Sequence, residues 1–336
     1  MSGMRFVLTC VPGVDSQWFF TLWNDLFAVT KADEITSDVS IQVSSTSHVP
    51  GAIPVPASAR LIAETPTRSL WSGNDKFWMQ GNGIKCAASK SNIDIAISKE
   101  FWANTLFEQR DFLLVTMVSM LRLNDVYGFH GNGLVRDNTG IIITGNSGAG
   151  KTTLTHALLS DGWQYLSDDA IALEIDGPVV RTRALRRGFA LTEQALQRGG
   201  INPIWDKNSV RELGNGKYLS GPSVATERQF IGQCVPAAIF FTSVGTADAT
   251  VITQIKPVEA LFLALEQAAG LFVDAKSASS QLNLLKTLVE QCACYRIVAG
   301  RDVIASKETI ARVSEMILSA AKKNKSVSSV DNGALK

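Results

Sequence analysis

Gly145-Asn146-Ser147-Gly148-Ala149-Gly150-Lys151-Thr152 fits the pattern G-x-x-x-x-G-K-[ST] without a gap. Glycines at these spacings let successive backbone N–H groups turn toward one anion, and the lysine reaches the outer oxygens of a phosphate chain. The flanks supply the context that such a loop needs. Gly140-Ile141-Ile142-Ile143-Thr144 reads as a buried strand, and Thr153 to Leu159 reads as a helix whose N-terminal dipole adds to the attraction. Strand, glycine loop and helix together predict a nucleoside triphosphate site. Gly145, Asn146, Ser147, Gly148, Ala149, Gly150, Lys151, Thr152 and Thr153 are expected around the phosphates, with Lys151 on the β and γ oxygens and Thr152 on Mg²⁺.

Seventeen and eighteen residues after Lys151 stand Asp168 and Asp169, behind a short strand at Tyr165 to Ser167. One helix and one return strand bring this pair back beside the loop. Two adjacent carboxylates can divide the work of phosphoryl transfer. One of the two suits Mg²⁺, directly or through water, and the other can serve as base for an attacking hydroxyl. A solvated acidic turn is the plain alternative. His130 lies fifteen residues before Gly145 and opens a strand-turn-strand unit. Alone it reads as an ordinary half-buried histidine, but its place makes it a candidate contact near the γ-phosphate. Arg181, Arg183, Arg186 and Arg187 form a basic cluster that reads first as a solvated face and second as a grip on phosphate or carboxylate. Lys217 and Arg296 are weaker candidates of the same kind, and the aromatic cluster Trp18, Phe19, Phe20 and Trp23 reads as core.

The chain has 336 residues, 46% of them hydrophobic, which is enough for a large core and two domains. A net charge of +1 gives no general reason to expect a nucleic acid or an anionic membrane as partner. No apolar run reaches the roughly 18 residues of a membrane span. The N-terminal apolar run is short and ends at Pro12, so it reads as a first strand and not as a targeting segment. The need for intracellular triphosphate makes the cytoplasm the expected location. Five cysteines lack zinc-site spacing and only three histidines accompany them, so buried free thiols are expected. Cys292 and Cys294 are expected on one face of a strand, where a redox or metal role is the minor alternative.

The organisation reads as an N-terminal α+β domain over 1–125, an α/β domain over 126–321, and a polar, disordered tail over 322–336. Strands are expected at Arg5 to Val11, Val39 to Ser44, Lys76 to Gln80, Gly83 to Ser89 and Ile93 to Ile97, with helices at Ser16 to Val29 and Phe107 to Asn124. His48 to Pro66, with four prolines, reads as a loop or an irregular edge. In the second half, strands are expected at Leu134 to Arg136, Ile171 to Ile175, Ala237 to Ser243 and Cys294 to Ala299. Helices are expected at Pro257 to Phe272, Ser279 to Cys292 and Ser306 to Ala321.

Residues 127 to 176 resemble the kinase core of HPr kinase/phosphorylase and its HPr-kinase-related relatives. The features are His130-Gly131, the short hairpin, the octet at 145–152, Gly162 and Asp168-Asp169. That family shares its fold with ATP-type phosphoenolpyruvate carboxykinase. The resemblance implies an α/β P-loop kinase core and transfer of a phosphoryl group from ATP, with Mg²⁺, to a serine-type hydroxyl. It implies Asp169 as base, Lys151 as phosphate clamp, Thr152 as Mg²⁺ ligand, His130 as an active-site partner and Asp168 as a metal-side carboxylate. A second metal-ligating glutamate would fall near Glu193. The family's Leu-Glu-Ile-Arg-Gly-Leu-Gly run is absent, and Arg186-Arg187-Gly188-Phe189-Ala190-Leu191-Thr192-Glu193-Gln194 stands in its place. The late active-site arginine has no clear counterpart. HPr is therefore not the expected acceptor. The N-terminal region looks more like that of HPr-kinase-related kinases of biosynthetic gene clusters, some of which phosphorylate precursor peptides.

The expected activity is a kinase acting on a serine or threonine hydroxyl of a peptide or protein. A small hydroxylated metabolite is the first alternative as acceptor. A regulatory ATP-binding module without transfer, and an NTPase that couples hydrolysis to motion, are alternatives of other classes. Neither nucleic acid nor membrane is expected as partner, and a homo-oligomer is left open.

Overall fold

Alternation of apolar and polar residues shapes the first half of the molecule. Val39, Ile41 and Val43 are buried on one face of their strand, as the two-residue period requires. Seven strands form one sheet: β1 (Phe6–Cys10), β2 (Val39–Ser45), β3 (Arg60–Thr65), β4 (Arg68–Gly73), β5 (Lys76–Gly81), β6 (Ile84–Ala88) and β7 (Asn92–Ile97). Their order is β1-β2-β7-β6-β5-β4-β3, parallel across β1, β2 and β7 and antiparallel from β7 to β3. Helices α1 (Ser16–Leu26) and α2 (Leu106–Leu123) cover it, with Phe19, Leu22 and Trp23 from α1 and Phe112, Leu113, Met117 and Met120 from α2 in a shared core. In this computed structural model the described residues are 6–11, 14–26, 38–46, 53–73, 75–198, 204–214, 216–268 and 275–331.

The start of α2 is fixed by a reciprocal cap. Thr105 Oγ1 accepts from Glu108 N at 3.3 Å, and the Glu108 carboxylate accepts from Thr105 N at 2.8 Å. The 48–66 stretch, read as a loop or irregular edge, carries the edge strand β3 in its later part. Five of the six β3 residues are exposed, so no burial-driven alternation marked it, and its partner β4 was not anticipated at all.

The second half comprises β8 (Tyr127–Phe129), β9 (Gly131–Arg136), β10 (Thr139–Thr144), α3 (Lys151–Ser160), β11 (Gln164–Ser167), β12 (Ile171–Asp176), β13 (Val179–Ala184), β14 (Phe189–Thr192), α4 (Glu193–Arg198), β15 (Arg211–Glu212), β16 (Lys217–Ser220), α5 (Val224–Arg228), β17 (Gln233–Cys234), β18 (Pro236–Val244), β19 (Val251–Gln254), α6 (Pro257–Glu266), α7 (Ala275–Gln291), β20 (Ala293–Ala299) and α8 (Lys307–Asp331). The fold is thus mixed α/β with several sheets. The largest sheet here has the order β11-β9-β10-β18-β20-β19, with β10, β18 and β20 parallel at its centre. Two smaller sheets, β17-β13-β12-β8 and β14-β16-β15, lie beside it.

The run Ile141-Ile142-Ile143 is apolar throughout because both faces of β10 are covered. Ile141 and Ile143 join Leu154 and Leu158 of α3 and Val313 and Ile317 of α8. Ile142 joins Ala260 and Ala264 of α6 and Leu284 and Leu288 of α7. The β9–β10 hairpin turns at Asp137 and Asn138, both with positive φ (50° and 57°), the signature of a turn that matches strand twist.

Four expectations differ from the structure. Of the tail read as 322–336, α8 takes in the residues as far as Asp331. Residues 332–336 lie outside the described residues. Helix α6 ends at Glu266, where Gln267 takes up the turn, and not at Phe272; 269–274 lie outside the described residues. Cys292 precedes β20 and is not within it; Cys10, Cys86, Cys234, Cys292 and Cys294 are all free. The boundary at 125/126 does not separate two cores, since Ala172 and Leu185 belong to the cluster built around α1 and α2. Among the described residues no helix is long and apolar enough to cross a membrane.

Candidate active site

The parallel strand β10 delivers the chain into the 145–150 loop, and α3 begins directly at Lys151. Three glycines make the loop's curvature. Gly145, Gly148 and Gly150 have φ of 148°, 81° and 86°, a region that side-chain-bearing residues rarely enter. A Cβ on Gly150 would also lie 3.0 Å from Val244, whereas at Gly148 nothing stands within 4 Å. Among the described residues no protein group accepts from the N–H of Ser147, Gly148 or Gly150. The loop therefore offers backbone donors, a helix N-terminus and open space on one side, which fits a phosphate chain. Lys151 Nζ donates to the carbonyls of Gly145 (2.7 Å) and Asn146 (3.2 Å), so its ammonium is held over this concavity. Burial lowers its pKa, with Asp169 and Asp168 opposing. Thr153 is half-buried on the first turn of α3.

Asp168 and Asp169 leave the end of β11 and diverge. Asp168 is fully buried and lies on the helix side. Its Oδ1 accepts from Asn132 Nδ2 at 2.7 Å and stands 3.5 Å from Thr152 Oγ1, while Oδ2 stands 3.4 Å from Ala190 N. Burial, reinforced by Asp169, pushes its pKa up to about 7. Asp169 sits in the left-handed region with φ 63° and keeps part of its carboxylate exposed. Arg186 Nη1 pairs with its Oδ2, and His130 Nδ1 is 3.4 Å from Oδ1. Burial alone would raise its pKa; Arg186 foremost, with His130, Lys151 and Arg110, holds it well below the ordinary carboxylate range. His130 Nδ1 also donates to the Asp169 carbonyl at 2.8 Å, and burial lowers its pKa toward the neutral ring.

The residue that locks the pair is Asn132, fully buried in β9. Its Nδ2 donates to Asp168 and, at 2.8 Å, to Thr155 Oγ1, and its Oδ1 accepts from Asp169 N at 2.8 Å. The sequence does not single it out, because it lies ahead of the strand expected at Leu134 to Arg136, whereas β9 already begins at Gly131. Gln267 was passed over as well: it donates to Asn146 Oδ1 at 3.0 Å and accepts His130 N at 2.9 Å, tying the loop to the histidine. Arg110 of α2 is the third residue missed, since nothing local in a helix pattern marks it.

The expected residues divide clearly. Lys151, Thr152, His130, Asp168 and Asp169 come together. Of the basic cluster only Arg186 enters the site; Arg181 pairs with Asp176, Arg183 with Glu174 and Arg187 with Glu227. Arg296 pairs with Glu259 away from the site. Lys217 lies on β16 and reaches Lys151 electrostatically. Glu193 is exposed at the start of α4, accepts from Gln197, and makes no hydrogen bond to Asp168 or Thr152. For a divalent metal, one hydroxyl and one carboxylate suit Mg²⁺, which keeps waters and takes phosphate oxygens as further ligands. Among the described residues no cluster of three or more His, Cys, Asp or Glu could hold a metal ion.

No family model and no curated protein matches the chain. Among solved structures it is similar to the Hpr(Ser) kinase/phosphatase from Coxiella burnetii, at 14% identity and a TM-score of 0.29, over 59% of this chain and 95% of that one. At that score the likeness adds nothing to what the site's own geometry carries.

Proposed function

We propose that this chain is an ATP-dependent kinase with an HPr-kinase-like P-loop core, which transfers the γ-phosphoryl group to a serine or threonine hydroxyl of a peptide or protein. The observation that carries the reading is the division of the carboxylate pair beside the glycine loop: Asp168 buried against Thr152, Asp169 partly exposed and fixed by Arg186 and His130. A simple nucleotide binder has no need of a second, separately oriented carboxylate, whereas an attacking hydroxyl needs one to orient it.

The loop N–H groups and Lys151 would hold the triphosphate of ATP. Thr152 and Asp168 would hold Mg²⁺, which when bound neutralises charge on the β and γ oxygens. Asp169 accepts a hydrogen bond from the acceptor hydroxyl and aims its oxygen in line at the γ-phosphorus. The new P–O bond forms as the bond to the ADP oxygen breaks. The hydroxyl proton passes to Asp169 late, once the oxygen has become acidic through bonding to phosphorus. A carboxylate held well below its usual pKa suits that role, since it stays ionised in the ground state and orients before it accepts. His130 and Arg186 position Asp169.

A small hydroxylated metabolite as acceptor is the second reading. The exposed face of Asp169 suits either. Incubation of the protein with γ-labelled ATP, Mg²⁺ and a serine- and threonine-containing peptide library, beside a panel of hydroxylated metabolites, separates them. Label on peptide supports the first reading and label on metabolite the second. ATP binding with label on neither overturns the kinase reading.

A further inference from the structure

His130 lies between β8 and β9, in neither strand, and both of its main-chain groups are tied to the glycine loop. Its carbonyl accepts from Thr144 Oγ1 at 2.6 Å, and Thr144 is the last residue of β10 before the loop. Its N–H donates to the carbonyl of Gln267 at 2.9 Å. Its ring nitrogen Nδ1 meets the Asp169 carbonyl at 2.8 Å and stands 3.4 Å from Asp169 Oδ1. On this side Asp169 is only as well fixed as the backbone of His130.

Gln267 carries the second of these ties back to the loop. Its Nε2 donates to Asn146 Oδ1 at 3.0 Å. The carbonyl of Asn146 accepts from Lys151 Nζ at 3.2 Å and from Ala149 N at 3.1 Å. One buried residue thus holds the loop with its side chain and His130 with its carbonyl. It can do so because it caps α6, where the last carbonyls of a helix have no partner within it. The helix itself is fixed against the strand that feeds the loop, since Ala260 and Ala264 share a core with Ile142. Ala268, the next residue, bridges to Phe129 just before the histidine. A chain of hydrogen bonds therefore runs from Lys151 through Asn146, Gln267 and His130 to Asp169.

We propose that Gln267 is a positioning residue for phosphoryl transfer, which acts through Asn146 and His130 to set the register between the phosphate loop and Asp169. The role rests on the kinase reading, because in-line transfer demands that the γ-phosphoryl group and the oriented hydroxyl meet within a fraction of an ångström. Gln267 needs no contact with nucleotide or acceptor to do this. It is well placed for the task, since a side-chain amide on the end of a packed helix loses its freedom on folding and not at the moment of reaction.

The test compares Gln267→Met, Asn146→Ala and the double variant with wild type. Gln267→Met keeps the backbone carbonyl and a side chain of similar length but removes the donor. Its kcat for transfer from γ-labelled ATP should fall by about 10–100-fold, with KM for ATP within a few-fold of wild type. Asn146→Ala should lower kcat as well, and the double variant should be no slower than the slower single one, because both act through the same hydrogen bond. The His130 amide, read by hydrogen exchange, should exchange about tenfold faster or more in either single variant, while the amide of Ile142 in the core keeps its wild-type protection. A glutamine that merely fills its place would lower the melting temperature and leave kcat and the His130 amide unchanged. Unchanged kcat or unchanged His130 protection in Gln267→Met, or losses that multiply in the double variant, would overturn the role. Should Gln267→Met fail to fold, Asn146→Ala removes the same hydrogen bond from its exposed end, and the His130 amide decides. A wild type that transfers no label would remove the kinase reading, and His130 exchange in the two variants then shows separately whether Gln267 holds the histidine to the loop.

Discussion

Asp168 and Asp169 are chemically identical and adjacent, yet their surroundings drive their pKa values in opposite directions. Asp168, sealed against Thr152 and Asn132, rises from the ordinary 3.8 to about 7. The folded, metal-free protein thus binds a proton there that the unfolded chain releases. Stability from this group is fully present below its ordinary pKa and is lost as pH rises through about 7. Asp168→Asn, which needs no proton, should therefore melt higher than metal-free wild type at neutral pH. That difference should grow between about pH 4 and pH 7 and level off above. A pH-independent difference in thermal melting would refute the assignment. Lys151→Ala, which removes the ammonium over the loop, should cut ATP affinity and transfer together, as read by calorimetry and a transfer assay.

At the scale of elements, Asn132 shows how β9 serves the site. One side chain joins α3 through Thr155, Asp168 through its carboxylate and Asp169 through its backbone. Asn132→Ala leaves buried polar groups unpaired and should cost about 2–3 kcal/mol of stability, measured by denaturant unfolding. A comparison with Thr105→Ala, which loses only the cap of α2 at about 1 kcal/mol, separates the two effects. The central strand, the glycine loop and the spacing to the aspartates were legible in the sequence because each is local: an apolar run, a fixed octet and one helix-strand return. Asn132, Gln267 and Arg110 were not, because their partners lie far along the chain and no period marks them. Arg186 was legible only as one of four arginines; tertiary pairing of the other three singles it out. The edge strand β3 escaped because it is exposed, so burial imposed no pattern on it.

At the scale of the molecule, α2 is the joint between the two halves. Its apolar side helps build the core that also takes in Ala172 and Leu185, and its Arg110 reaches the carboxylate pair. Shared core and shared site predict one cooperative thermal transition for the whole chain, and two resolved transitions in calorimetry would contradict it. Residues 126–331 expressed alone should lose protection of β12 in hydrogen exchange, since Ala172 would be uncovered.

The most direct measurement of the central claim sets nucleotide affinity beside phosphoryl transfer in Asp169→Asn. The variant keeps the loop, Lys151, Thr152 and Asp168. The account predicts ATP affinity within a few-fold of wild type and transfer from γ-labelled ATP lower by about 10²–10⁴. Transfer at the wild-type rate in Asp169→Asn would contradict it.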